Sequence, residues 1–187
     1  NNGWLNLDGS EYVDANSTFE SIFHSDYTVS AWVKPDDGQP ADINVIFGTQ
    51  KEWTGWIYFQ IETNGKVKFV HGQAASTAAH QVESAGVIFT DGANDWKYLT
   101  GVLSLTSNIA GTMTLYVNGI SNTADSTPTT DWNVTTYDNS LNNINIGTSS
   151  TTNRFFNGSI DEIRLYDRAL SAPEILKNYK HGKSKHS

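Results

Sequence analysis

Along most of the chain, hydrophobic residues recur at every second position, the period of a strand with one buried face. Tyr27, Val29, Ala31 and Val33 share one face of a run that ends at Lys34, and Pro35-Asp36-Asp37-Gly38 supplies turn residues to stop it. Shorter alternating runs precede it: Trp4–Leu7 alternates around Leu5 and Leu7, Asp8-Gly9 turns it, and Tyr12-Val13 resumes the pattern. Residues 16–25 are polar except for Phe19, Ile22 and Phe23 at helical spacing, which predicts a single helical turn. Ile43 to Gly48 is a short apolar strand, and Trp56–Glu62 and Lys66–His71 flank Asn64-Gly65, a hairpin signal because both residue types tolerate positive φ. Trp96–Leu105 and Thr112–Val117 form a second pair, followed by Asn118-Gly119. Val87–Phe89 and Ile144–Gly147 read as brief strands, residues 72–84 as a loop, and 120–142 as a loop or weak edge strands.

The period changes once. After an alternating run from Ile160 to Tyr166, Ser171 stands three residues before Glu174, a capping box, with Pro173 in the first turn and Ile175, Leu176 and Tyr179 on one side. This predicts a short helix. Residues 181–187 are basic and unpatterned and read as a disordered tail. The elements together predict an all-β sandwich of one domain, residues 1–180, closed by that helix. A closed barrel is less favoured, since nothing in the pattern demands closure.

Composition narrows the function classes. There is no cysteine, which excludes disulfides, cysteine metal sites and a thiol nucleophile. The formal net charge of -8 argues against a phosphate-tracking surface, so no nucleic acid partner is expected. No apolar run approaches the roughly 20 residues that span a bilayer, so no membrane insertion is expected. The chain does not open on a basic-then-apolar leader, and Asn1 is not an initiator, so a processed piece of a larger protein is expected.

Six fragments now align in order with one family. GWLNLDGSEYVD, YTVSAWVKP, DWKYLTGV, TLYVNG, INIGTS and FFNGSIDEIRLYDRALSAPEI resemble the successive signatures of laminin-G-like, concanavalin A-like jelly-roll domains. KPDDGQP and LSAPEILKNYKHGK are similar to such domains in marine phage and environmental structural proteins. The resemblance implies two curved antiparallel sheets packed face to face, with the first and last strands as neighbours. It also implies binding of sugars, proteins or surfaces at the rim or concave face, often with calcium; relatives include glycanases, so fold alone does not settle function.

Catalysis finds no motif. Glucanases of this superfamily carry Glu-x-Asp-x-x-Glu on one strand, but around Asp161 the matching positions are Ser159 and Arg164. There is no Gly-x-Ser-x-Gly elbow and no nucleotide-binding loop. For a metal, calcium is the candidate: if the terminal strands are neighbours, Asp8 and Asp161 are placed to share a rim site. Asp161 has the parity of Ile163 and Leu165, which turns it inward, where it needs a partner. The alternative is that backbone amides satisfy Asp161 and Asp8 serves its own turn. Trp4, Trp32 and Trp96 match structural positions, whereas Trp53, Trp56 and Trp132 lie in or beside polar loops and are the candidate ligand platforms. The expected function is a non-catalytic carbohydrate or cell-surface binding module of a larger exterior protein, extracellular or on a virion. Its expected partner is a glycan or glycosylated surface. The alternatives are a structural or decoration domain that binds protein or self-associates and, third, a glycoside hydrolase.

Overall fold

The computed structural model describes residues 3–15, 20–51, 55–73, 79–92, 94–124, 132–136, 143–149 and 154–187. Among these residues twelve strands occur in order: β1 (Leu5–Asp8), β2 (Val13–Asp14), β3 (Tyr27–Pro35), β4 (Asn44–Lys51), β5 (Gly55–Ile61), β6 (Val67–Gln73), β7 (Ala79–Glu83), β8 (Lys97–Ser107), β9 (Ala110–Val117), β10 (Ile120–Ser121), β11 (Asn145–Ile146) and β12 (Asn157–Tyr166). One helix, α1 (Ala172–Gly182), follows. The first sheet runs β1-β12-β3-β8-β9-β10 and the second β2-β11-β4-β5-β6-β7. All pairings are antiparallel, and β1 lies beside β12, as the resemblance implies.

The core is the product of the alternation. Tyr27, Val29, Ala31 and Val33 of β3 face Ile57, Phe59 and Ile61 of β5 and Val67 and Phe69 of β6 across the sandwich, all fully buried. Each Val, Ile or Phe among them contributes about 1.5–3 kcal/mol on burial, so the in-facing parity of a strand is strongly specified. The Asn118-Gly119 turn has φ of 53° and 79°, the left-handed pair that a tight hairpin between β9 and β10 requires.

Four expectations are corrected. The segment 72–84 contains β7, whose His80 and Val82 are buried against β6. Residues 87–89 form no strand; the amides of Ile88 and Phe89 both donate to the Gly65 carbonyl at 3.0 Å, and Phe89 plugs the core beside the hairpin turn. The residues expected to form a disordered tail continue the helix to Gly182 and then turn through Lys183–Lys185, with His186 buried. Finally, Asp161 does not point inward. β12 carries a bulge between Asp161 and Arg164, with Glu162 at a φ of 49°, and the extra residue flips the parity. Ile160, Ile163 and Leu165 face the core while Asp161 sits on the outer face, paired with Trp32.

Helix α1 covers the outer face of the first sheet. Ile175 and Leu170 pack on Trp32, Tyr98 and Val102, with Tyr166 and Tyr179 alongside. At its start the Ser171 amide and hydroxyl donate to Glu174 Oε2 at 2.9 and 2.7 Å, and Arg168 grips both oxygens of the same carboxylate. No helix among the described residues covers the outer face of the second sheet. None is long and apolar enough to cross a membrane.

Candidate functional site

Because side chains alternate, β5 presents two different surfaces. Ile57, Phe59 and Ile61 enter the core, which leaves Trp56, Tyr58 and Gln60 in a row on the outer face of the second sheet. Trp56 is half-buried and lies against the sheet rather than standing off it. It pairs in register with Gly72 of β6, and a Cβ on Gly72 would fall 1.8 Å from the indole Cε2. Glycine there is what allows the ring to lie over the neighbouring strand.

Tyr58 stands opposite Gly48 of β4, and the chain at Thr148–Ser149 crosses directly over that glycine, walling the site on one side. Burial pushes the Tyr58 phenol up to about 12, against an opposing influence of nearby Arg154. It therefore stays a neutral hydroxyl that both donates and accepts. Gln60 is 4 % exposed; its Nε2 donates to Glu62 Oε1 at 2.7 Å, while its Oε1 is buried and has no partner among the described residues. Such an acceptor costs about 1–3 kcal/mol while unmet. The row is fenced by ion pairs, Lys68 with Glu62 at 3.2 Å and Lys66 with Glu83 at 2.7 Å, so both carboxylates at this end are neutralised. A half-buried aromatic plate beside a neutral phenol suits a ligand with one apolar face and hydroxyl or amide groups.

The other expected site residues fall differently. Trp132 is 1 % exposed; its Nε1–H donates to the His71 carbonyl at 3.0 Å, and its ring meets His71 and His80 edge-on at 5.6 and 5.1 Å. It is a core residue and not a platform. Trp53 lies outside the described residues. Asp8 and Asp161 are not brought together: Asp8 is opposite Asn157, and Asp161 is four residues further along β12, about 13 Å at strand spacing. Asp8 bonds the amide and hydroxyl of Ser10, and Asp161 bonds Lys185 and His186. The pair does not fit one calcium ion, and no three His, Cys, Asp or Glu among the described residues are grouped as a metal would need. Tyr58 and Gln60 were missed because the run reads as uniformly apolar up to Gln60; their shared parity with Trp56 was the available signal.

The fold and this face define a two-sheet jelly-roll with a half-buried aromatic strip on one outer sheet face. A family profile described as the concanavalin A-like lectin/glucanases superfamily matches residues 7–176, and the chain belongs to that superfamily. Among solved structures it is similar to the Ruminococcus gnavus IT-sialidase CBM40 bound to alpha2,3 sialyllactose, with a TM-score of 0.69, 12% identity and coverage of 94% of this chain and 96% of that one. It is also similar to the binding domain of Botulinum neurotoxin DC in complex with rat synaptotagmin II, with a TM-score of 0.65, 16% identity and coverage of 91% and 39%. A third likeness is the heptameric SAP-like pentraxin from Limulus polyphemus, with a TM-score of 0.53, 16% identity and coverage of 81% and 68%. Comparison with curated proteins finds no match.

Proposed function

We propose that this domain is a non-catalytic glycan-binding module whose ligand seats on the Trp56 and Tyr58 rings of β5. The observation that carries this reading is the pair of rings: a half-buried indole laid over Gly72, beside a half-buried neutral phenol. A pyranose offers a C–H face to stack on the ring and hydroxyls to meet the polar atoms. The similar carbohydrate-binding module was solved with a sialylated sugar, which supports the ligand class without identifying the sugar. The non-catalytic part rests on Glu62 and Glu83, the acids bordering the row, each being engaged by a lysine. A glycan-binding role puts the domain on an exterior surface, where glycans are met.

The test is a glycan array with the full chain, alongside Trp56→Ala and Tyr58→Phe. Saturable binding to a defined glycan, reduced at least tenfold by Trp56→Ala, supports the reading. Binding that survives both substitutions moves the site elsewhere. No binding on the array, combined with capture of a protein receptor, would favour a protein-recognition role instead.

A further inference from the structure

The opposite sheet carries an arrangement that glycan binding does not use. Asp161, Trp32 and Tyr98 are cross-strand neighbours on β12, β3 and β8, so their outer-face side chains form one row held by the sheet. His186 stacks on the Trp32 indole, with centroids 4.3 Å apart and planes 9° from parallel. Trp96, just before β8, closes edge-on at 4.9 Å from the imidazole and itself rests on Trp4 at 5.6 Å. The ring nitrogens have only acceptors for partners: Nε2 is 2.9 Å from Asp161 Oδ2, and Nδ1 is 2.9 Å from the Gly182 carbonyl. Both contacts are acceptor oxygens, so the surroundings of the ring offer π faces and negative charge.

The same Asp161 oxygen takes Lys185 Nζ at 2.7 Å, and Glu162 Oε1 lies 3.8 Å from that ammonium. A flat ring between two indoles and an ammonium on the adjoining carboxylate thus fill surroundings that favour a cation, through ring-face attraction and a charge-assisted hydrogen bond. The imidazole side chain has no exposed surface, yet Lys183, Ser184, Lys185 and Ser187 around it are all exposed. Past the helix the tail is anchored by this ring and by the Lys185 ammonium. The walls, by contrast, stand on or beside strands whose pairing does not involve the tail. Gly182 lets the chain turn in closely, since a Cβ there would fall 2.4 Å from Trp32 Nε1.

We propose that Trp32, Trp96 and Asp161 form a second binding site, a socket for a planar or quaternary cation carried by a basic peptide, and that the chain's own Lys185–His186 pair plugs it. The socket takes a cation in trans whenever the tail is displaced.

The test uses the full chain with His186→Ala, which vacates the socket, titrated with tetramethylammonium chloride and with the peptide KHGKSKHS, the sequence of Lys180–Ser187. Sodium chloride serves as the ionic control, and indole NMR signals report binding. Saturable shifts at the Trp32 and Trp96 indoles are expected, with affinity at least tenfold weaker in Asp161→Asn/His186→Ala. No saturable shift, or one that Asp161→Asn leaves unchanged, overturns the proposal. Should His186→Ala not fold, the unmodified chain gives the answer. Tetramethylammonium should move the His186 ring-proton signals away from the position imposed by the Trp32 face; signals that move no more than in sodium chloride refute the socket.

Discussion

Acid should destabilise this domain well above the range in which carboxylates titrate, because two neutral histidines are locked in its core. His71 of β6 and His80 of β7 are paired across the strands and fully buried. Burial, with smaller contributions from His80 and His24, lowers His71 from 6.5 to about 3, and burial lowers His80 to about 4. Unfolding returns both to the ordinary value, so between those limits the unfolded chain binds more protons than the folded one. Stability is then fully present above about pH 6.5 and declines as pH falls toward the folded values. From pH 7 to pH 5 each histidine forfeits about 1.8 kcal/mol, together about 3.5 kcal/mol, a large part of a typical 5–15 kcal/mol. For a domain of this size that corresponds to a fall in Tm of about 7–15 °C. The assay is thermal unfolding from pH 7 to pH 5 at constant ionic strength, with a His71→Gln/His80→Gln variant as reference. Only slopes need comparison, so a lower starting stability of the variant does not matter. A parent Tm that moves by less than about 3 °C, or a variant with the same slope, would refute the reasoning.

The remaining predictions concern the two faces and the buried tryptophan. Gly72→Ala drives a methyl into the Trp56 ring; it should cost about 1–3 kcal/mol in urea unfolding and weaken glycan binding at least tenfold by calorimetry, although every ligand-facing side chain is retained. Trp132→Phe removes the donor to the His71 carbonyl and should cost about 1–3 kcal/mol in the same unfolding assay, while the glycan affinity stays unchanged. At Asp161, burial would raise the carboxyl, but bonds from Lys185, His186 and the Glu162 amide outweigh it and hold the group below its ordinary value. Its stabilisation is therefore present above about pH 4 and lost as pH falls through the lowered folded value. Asp161→Asn should flatten stability below pH 4 and speed amide exchange in the last turn of α1 and the tail, read by hydrogen-exchange NMR.

The alternation and turn chemistry by themselves determined the all-β class, most of the strands, the two Asn-Gly turns, the in-facing residues of β3 and the capped helix. Those features depend on contacts within a few residues, so their signals are local. Tertiary structure decided the candidate site. Trp56 and Trp132 looked alike in sequence, each an aromatic beside polar residues, but one lies over Gly72 on an outer face and the other fills the core beneath His71 and His80. Which of them meets ligand depends on what the opposite sheet and the helix cover, a long-range fact that no local period records. The same limit explains Asp161. A single extra residue at Glu162 reversed its parity and delivered it to a tail that looked unstructured, because the partners that order His186 stand on β3, on β12 and just before β8, at least 25 residues away in the chain.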